Sequence, residues 1–225
     1  LFISGALGIG ISDTMFFKSL NLLGAGMSAI VDCLYSPFII GLALIFLQEN
    51  MSFLQIIGVV MIISAVLTAT HTKGRGKISR HNLAWGIFWG VLAMATMAVG
   101  IVMIKPLLER SPLLWVTQIR LLSGTIILLV ILLFHRSRQQ IISSLYSMRS
   151  WHYTLSGSFF GAYLSMICWL AGMKLTQAST AAALNQTSNI FIFVFAAIFL
   201  KETINIQRII AIIMAIAGVF IVTFC

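Results

Sequence analysis

This chain has 225 residues, of which 60% are hydrophobic and only 8% charged. Soluble domains carry about 25% charged residues, so this apolar surface could not be hidden in water and its solvent is lipid. The net charge of +9 lies mainly in short connectors between apolar runs. It fits loops facing cytoplasm and anionic lipid, rather than a nucleic-acid partner.

A helix needs about 20 apolar residues to cross a hydrocarbon core of roughly 30 Å. Eight runs meet that need: Leu1–Leu20, Gly24–Leu47, Phe53–Thr70, Leu83–Ile104, Leu113–Phe134, Tyr153–Met173, Ala178–Leu200 and Ile204–Phe224. Helices are expected, because backbone groups in lipid must bond within their own segment. The runs lack the alternation of a membrane β-barrel. No connector is long enough for a soluble domain.

The first run begins at Leu1 without an initiator methionine, which reads as a truncated sequence. It carries Gly8, Ser12 and Asp13. Asp13 either lines a cavity entrance, as a candidate proton-coupling group, or pairs with a cation. Lys18 at i+5 lies off its helical face.

The second run holds Asp32, eight residues beyond Gly24 and so about 12 Å deep. An acid at the bilayer centre costs roughly 2.5–3.5 kcal/mol on insertion scales and normally faces a cavity or a partner. Ser28, Tyr35 and Ser36 share its helical face. Pro37 leaves the Cys33 carbonyl without its helical donor, a kink beside Asp32. Glu49 closes this run, before the turn into the third.

The basic connector His71–Asn82 precedes the fourth run, which contains the Gly86/Gly90 pair. The fifth run contains Gln118 and Arg120. Arg120 either snorkels to the interface or binds an anionic group of a substrate. Gly157 and Gly161 form a second small-residue pair in the sixth run, again suited to close packing. Asn185, Gln186 and Asn189 lie in the seventh run, and Glu202 follows it. The aromatics Trp85, Trp89, Trp115, Trp151 and Tyr153 lie mostly near run ends, as an interfacial belt does.

The three cysteines (Cys33, Cys168 and Cys225) and four histidines (His71, His81, His135 and His152) show no metal-ligand spacing. No phosphate-cradling G-x-x-x-x-G-K-[ST] loop occurs. Neither a metal nor a cofactor is expected.

The chain repeats itself at an offset of 153 residues, Leu20–Thr70 against Met173–Thr223. The clearest block is Ile45–Glu49 against Ile198–Glu202, with further matches such as Ala25/Ala178, Phe38/Phe191 and Met61/Met214. Asp32, Tyr35 and Ser36 map onto Asn185, Ser188 and Asn189, so one stripe is polar in both copies. Between Glu49 and Glu202 the chain crosses the membrane an odd number of times if every run spans. The copies then point in opposite directions. Internal inverted duplication around a central site is the mark of a transporter. The expected fold is an all-α integral membrane bundle of inverted-topology repeats, with eight spans visible and ten in a full chain.

Orientation is contested. Lys18, Lys73, Arg75, Lys77, Arg80, Arg136, Arg138, Arg149 and Lys201 share one face, against Lys105, Arg110 and Lys174 on the other. The positive-inside rule puts the first face in the cytoplasm and the C-terminus outside.

Two helices ending in F-L-x-E, each followed by a short turn and a Gly- or Ala-bearing helix, resemble the EamA repeat of the drug/metabolite transporter superfamily. The resemblance rests on Ala25–Thr70, with Pro37, Glu49 and Gly58, and on Ala178–Thr223, with Glu202 and Gly218. Gly8/Gly161 and Ser12/Ser165 extend it more weakly. It implies ten helices, a central cavity and export or exchange of small metabolites. It also implies cytoplasmic termini, against the charge count. Residues 1–71 then form the last three helices of a first repeat, 72–82 a basic connector, and 83–225 a second repeat.

The expected function is secondary transport of a small metabolite or drug-like solute across the cell membrane. Asp32, Tyr35, Ser36, Asn185, Gln186, Asn189 and Arg120 would contact solute, and Asp32 or Asp13 would carry a coupling proton. Glu49, Glu202, Pro37, Gly8 and Gly161 are read as structural, the two glutamates serving helix N-termini. The partners are the solute and the bilayer, and one chain suffices as a monomer. A non-transporting membrane scaffold is the alternative. An intramembrane enzyme would need a catalytic constellation that the edge-placed histidines do not form.

Overall fold

The computed structural model describes residues 1–47, 52–70, 79–146, 151–185, 188–200 and 206–224, so Glu49, Gln186 and Glu202 lie outside the described residues. Every regular element among these is a helix. In chain order they are α1 (residues 2–23), α2 (Ala25–Leu47), α3 (Phe53–Thr70), α4 (Arg80–Val102), α5 (Lys105–Arg110), α6 (Leu113–Phe134), α7 (Arg138–Tyr146), α8 (Trp151–Leu175), α9 (Ala178–Asn185), α10 (Ser188–Phe199) and α11 (Ile206–Phe224). Helix thus occupies each of the eight apolar runs, with α9 and α10 sharing the seventh, in an all-α membrane bundle. Length and composition alone let α2, α4, α6 and α8 cross a bilayer, while α3 and α11 hold the shorter apolar stretches Phe53–Ala65 and Ile209–Ile221. Asp13, Lys18 and Asn21 dilute α1.

Local chemistry sets the boundaries. Gly24 has φ 78°, a left-handed turn that favours glycine, and it separates α1 from α2. Ser52 and Gln55 form a reciprocal capping box at the start of α3: the Ser52 N–H donates to Gln55 Oε1 (2.9 Å) and the Gln55 N–H to Ser52 Oγ (3.2 Å). Ser79 opens α4 by accepting from the Asn82 N–H at 3.2 Å.

Two irregularities bend the helices. α2 divides into Ala25–Asp32 and Tyr35–Leu42, and the N–H groups of Cys33 and Leu34 bond back only three residues, to Ile30 and Val31. The break falls where Pro37 withholds a donor, beside Asp32. Wide π turns occupy Ala6–Ile11 in α1, Ala43–Leu47 in α2 and Ser158–Leu164 in α8. Adding the repeat offset to the first gives 159–164, so the same deformation recurs in both copies.

Serines and glycines bring α1 against α4. Ser12 Oγ donates to the Ala93 carbonyl (3.0 Å) and Ser19 Oγ to the Gly86 carbonyl (2.7 Å). A Cβ on Gly86 or Gly90 would meet Leu23 or Val31 at 2.6 Å, so this pair does pack closely. Gly157 and Gly161 differ, since no described atom lies within 4 Å of a Cβ placed there. Both are on exposed stretches of α8, and the close packing expected of them is not made by the described residues.

The two copies meet through equivalent helices. α3 packs along α11, its repeat mate. The first half of α2 packs on α10, and its second half on α9. First half to second half, and second to first, is an antiparallel crossing, as inverted repeats require.

Candidate functional site

The polar stripe of α2 ends up at this crossing. Asp32 closes the first half of the helix and is partly exposed, whereas Asn189, in the first turn of α10, is fully buried. The Asn189 amide donates to the Asp32 carboxylate at 3.0 Å and lies 3.5 Å from Cys33 Sγ. An ionised carboxylate can only accept, so the amide donor is its natural complement. The sequence pairs Asp32 with Asn185 as repeat mates, but the contact is made by Asn189, the mate of Ser36. In an antiparallel crossing, mates exchange places about the axis instead of lying opposite each other.

Tyr35 and Ser36, one turn further, are buried, and their hydroxyls have no hydrogen-bond partner among the described residues. The Tyr35 ring lies 6.4 Å from that of Trp169 on α8, at 47°. Trp169 in turn lies under Arg120, whose guanidinium carbon is 5.6 Å from the indole centroid. A polar line therefore runs from Asp32 through Tyr35 and Trp169 to Arg120, across α2, α8 and α6.

Arg120 is fully buried. Its Nη1 donates to Ser4 Oγ at 2.8 Å, and Ser4 Oγ donates onward to the Gly100 carbonyl. A Cβ at Gly8 would sit 3.2 Å from Arg120 Nη2, so glycine there leaves room for the guanidinium. With no accessible surface, this side chain does not snorkel.

Asn185 is exposed and, with Trp169, Ser165, Cys168 and Thr176, lines a cavity of about 370 Å³ between α8 and α9. A larger cavity, about 570 Å³, is lined by apolar side chains including Leu42, Phe46, Val99 and Met103. Asp13 is partly buried and makes no ion pair among the described residues. Lys18 instead lies 4.5 Å from the Trp89 ring centroid. No His, Cys, Asp and Glu cluster suited to a metal occurs among the described residues.

Sequence reasoning missed Trp169, Ser4 and Lys105. Trp169 carried little signal, because it lies four residues from the Met173 end of its run, where a tryptophan reads as part of the interfacial belt. Lys105 is buried; its Nζ donates to the carbonyls of Met173 (2.5 Å) and Thr176 (2.7 Å) and pairs with Glu109 at 2.9 Å. Lys174 Nζ reaches the Ser111 carbonyl at 2.6 Å. Together they tie the C-terminal end of α8 to α5 and its flank.

The EamA-like transporter family matches residues 1–70 and 84–224. An uncharacterized transporter of Archaeoglobus fulgidus is 23% identical over 222 residues, covering 99% of this chain and 72% of that protein. A protein of known crystal structure superposes with a TM-score of 0.71 at 15% identity, over 99% of this chain and 75% of its own. That last likeness concerns the fold alone.

Proposed function

The chain belongs to the EamA-like transporter family and is a multi-pass membrane transporter of the drug/metabolite kind, and from that premise we propose that it moves a small metabolite or drug-like solute by alternating access, as an exporter or exchanger. The two copies, residues 1–71 and 83–225, are the halves that rock, and the solute is held where α2 crosses α9 and α10. The observation carrying this reading is the Asp32–Asn189 hydrogen bond between α2 and α10. It joins the copies at a point that must open and close if they move against each other.

Asp32, Tyr35, Ser36 and Asn189 contact the solute, and Asn185 faces its approach through the neighbouring cavity. Asp32 also takes the coupling proton. Protonation adds an O–H donor to a group that could only accept, and removes the charge that strengthens the Asn189 hydrogen bond. Both copies reside in one chain, so a monomer suffices. The host membrane is the plasma membrane, and no chemical conversion of the solute is involved.

Flux in proteoliposomes tests this. Solute movement should be saturable and accelerated by an imposed pH gradient, and Asp32→Asn should abolish that acceleration. An Asp32→Asn protein with unchanged rate and pH response would remove the proton role. No flux for amines, carboxylates, sugars or nucleosides would remove the transport reading.

A further inference from the structure

We propose that the buried guanidinium of Arg120 is the oxyanion-binding end of the solute site, so that the transported solutes carry a carboxylate or phosphate group. This rests on the transport reading above and adds a substrate class to it.

Arg120 lies seven residues into α6, about 10 Å from its start, and it is fully buried. Among the described residues only Nη1 is hydrogen-bonded, to Ser4 Oγ at 2.8 Å. The hydroxyl proton of Ser4 is already given to the Gly100 carbonyl, so Ser4 supplies a neutral lone pair and no countercharge. Among the described residues the one ion pair is Lys105–Glu109, and no carboxylate lies within ion-pair distance of Arg120. Burying a cation without a countercharge is costly in protein and more so in lipid.

The unpartnered atoms are informative. Arg120 Nε and Nη2 have no hydrogen-bond partner among the described residues. These two N–H groups lie parallel along one edge of the guanidinium, the edge that engages an oxyanion through two bonds at once. Two further hydrogen-bonding groups nearby are likewise unused: the indole Nε1 of Trp169 and the hydroxyl of Tyr35. Indole can only donate, and Trp169 adjoins both Arg120 and Tyr35. A donor-rich, positively charged corner of this kind suits an acceptor-only ligand. Trp169 also lines the 370 Å³ cavity, so the cavity abuts the ring that lies against Arg120. Asp13 makes no ion pair with Arg120 among the described residues.

The test uses the full chain, purified in detergent, with benzoate, its neutral isostere benzamide, and inorganic phosphate as probes. Benzoate or phosphate should raise the melting temperature and change Trp169 fluorescence, read as the difference from Trp169→Phe, while benzamide should do neither. Arg120→Gln should weaken oxyanion binding by roughly 10- to 100-fold, the loss of a charge-assisted hydrogen-bonded pair. Arg120→Lys, which keeps the charge but not the fork, should fold and bind weakly, so misfolding of the glutamine variant cannot pass for lost binding. Equal responses to benzamide and benzoate, or unchanged binding in Arg120→Gln, would overturn the inference. Full function in Arg120→Gln/Asp13→Asn would also overturn it, by assigning Asp13 as the native countercharge. Phosphatidylglycerol displacing benzoate would assign the corner to a lipid headgroup and overturn the solute class. In proteoliposomes, flux of neutral or cationic solutes only would sink this inference and leave transport standing. Oxyanion binding with no flux of any solute would sink the transport reading and the solute class with it, leaving Arg120 as an oxyanion-binding corner alone.

Discussion

Ile62 and Ala215 occupy the same position in the two copies, 153 residues apart, and both lie in one fully buried cluster where α3 meets α11. Repeat mates fall in one cluster only near a pseudo-twofold axis, so the axis relating the copies runs close to this pair. The contact is tight nearby: a Cβ on Gly218 would stand 2.7 Å from the Gly58 carbonyl oxygen and 2.9 Å from Ile62.

Gly218→Val should therefore force α3 and α11 apart. Overpacking of this kind costs about 1–3 kcal/mol. The check is a lowered melting temperature in detergent, with Gly157→Val as the comparison, since space is open there and little change is expected.

Asp32 and Asn189 should behave as one unit. Asp32→Asn and Asn189→Ala should each slow solute flux at least about tenfold, and the double variant should be little worse than either, the sign of coupled residues. Additive losses would show that the two act separately.

Lys105→Met should be destabilising by about 1–3 kcal/mol, because the carbonyls of Met173 and Thr176 lose their donor inside the protein. Lys105→Arg should recover part of this. Chemical denaturation followed by far-ultraviolet circular dichroism reads both.

Phe53 and Ile206 begin α3 and α11 and are equivalent under the repeat; both are exposed. In a background free of other cysteines, Phe53→Cys and Ile206→Cys should react with a membrane-impermeant maleimide from opposite sides of the bilayer. Labelling from one side would contradict the inverted arrangement.

Much of the fold was legible because lipid imposes a simple code. Apolar length marks helices, and a repeat with an odd number of crossings marks inversion. Asp32 and Asn189 were both legible as polar groups at mid-depth. Their contact was not, because it depends on how two helices cross, and sequence positions do not encode that angle. The surroundings of Arg120 were hidden for a related reason. A helix that is apolar all round carries almost no signal for which side faces its neighbours, so Ser4 and Gly8 from one run and Trp169 from another could not be assembled around Arg120 in a third. Lys105 sits in a connector that reads as an ordinary positive loop, and only the fold shows it buried.

Among the described residues, the Lys105 and Lys174 ties fasten α8 at its C-terminal end. Most of the rest of this helix, through both turns before Gly157 and the wide turn after it, is exposed to the surroundings. A lever pinned at one tip moves least beside its fulcrum. Trp169 lies six residues from Leu175, about 9 Å along the axis, so tilting α8 would sweep its far tip widely and shift the indole little. The aromatic plate beside Arg120 would keep its station while the outer part of the rod swings.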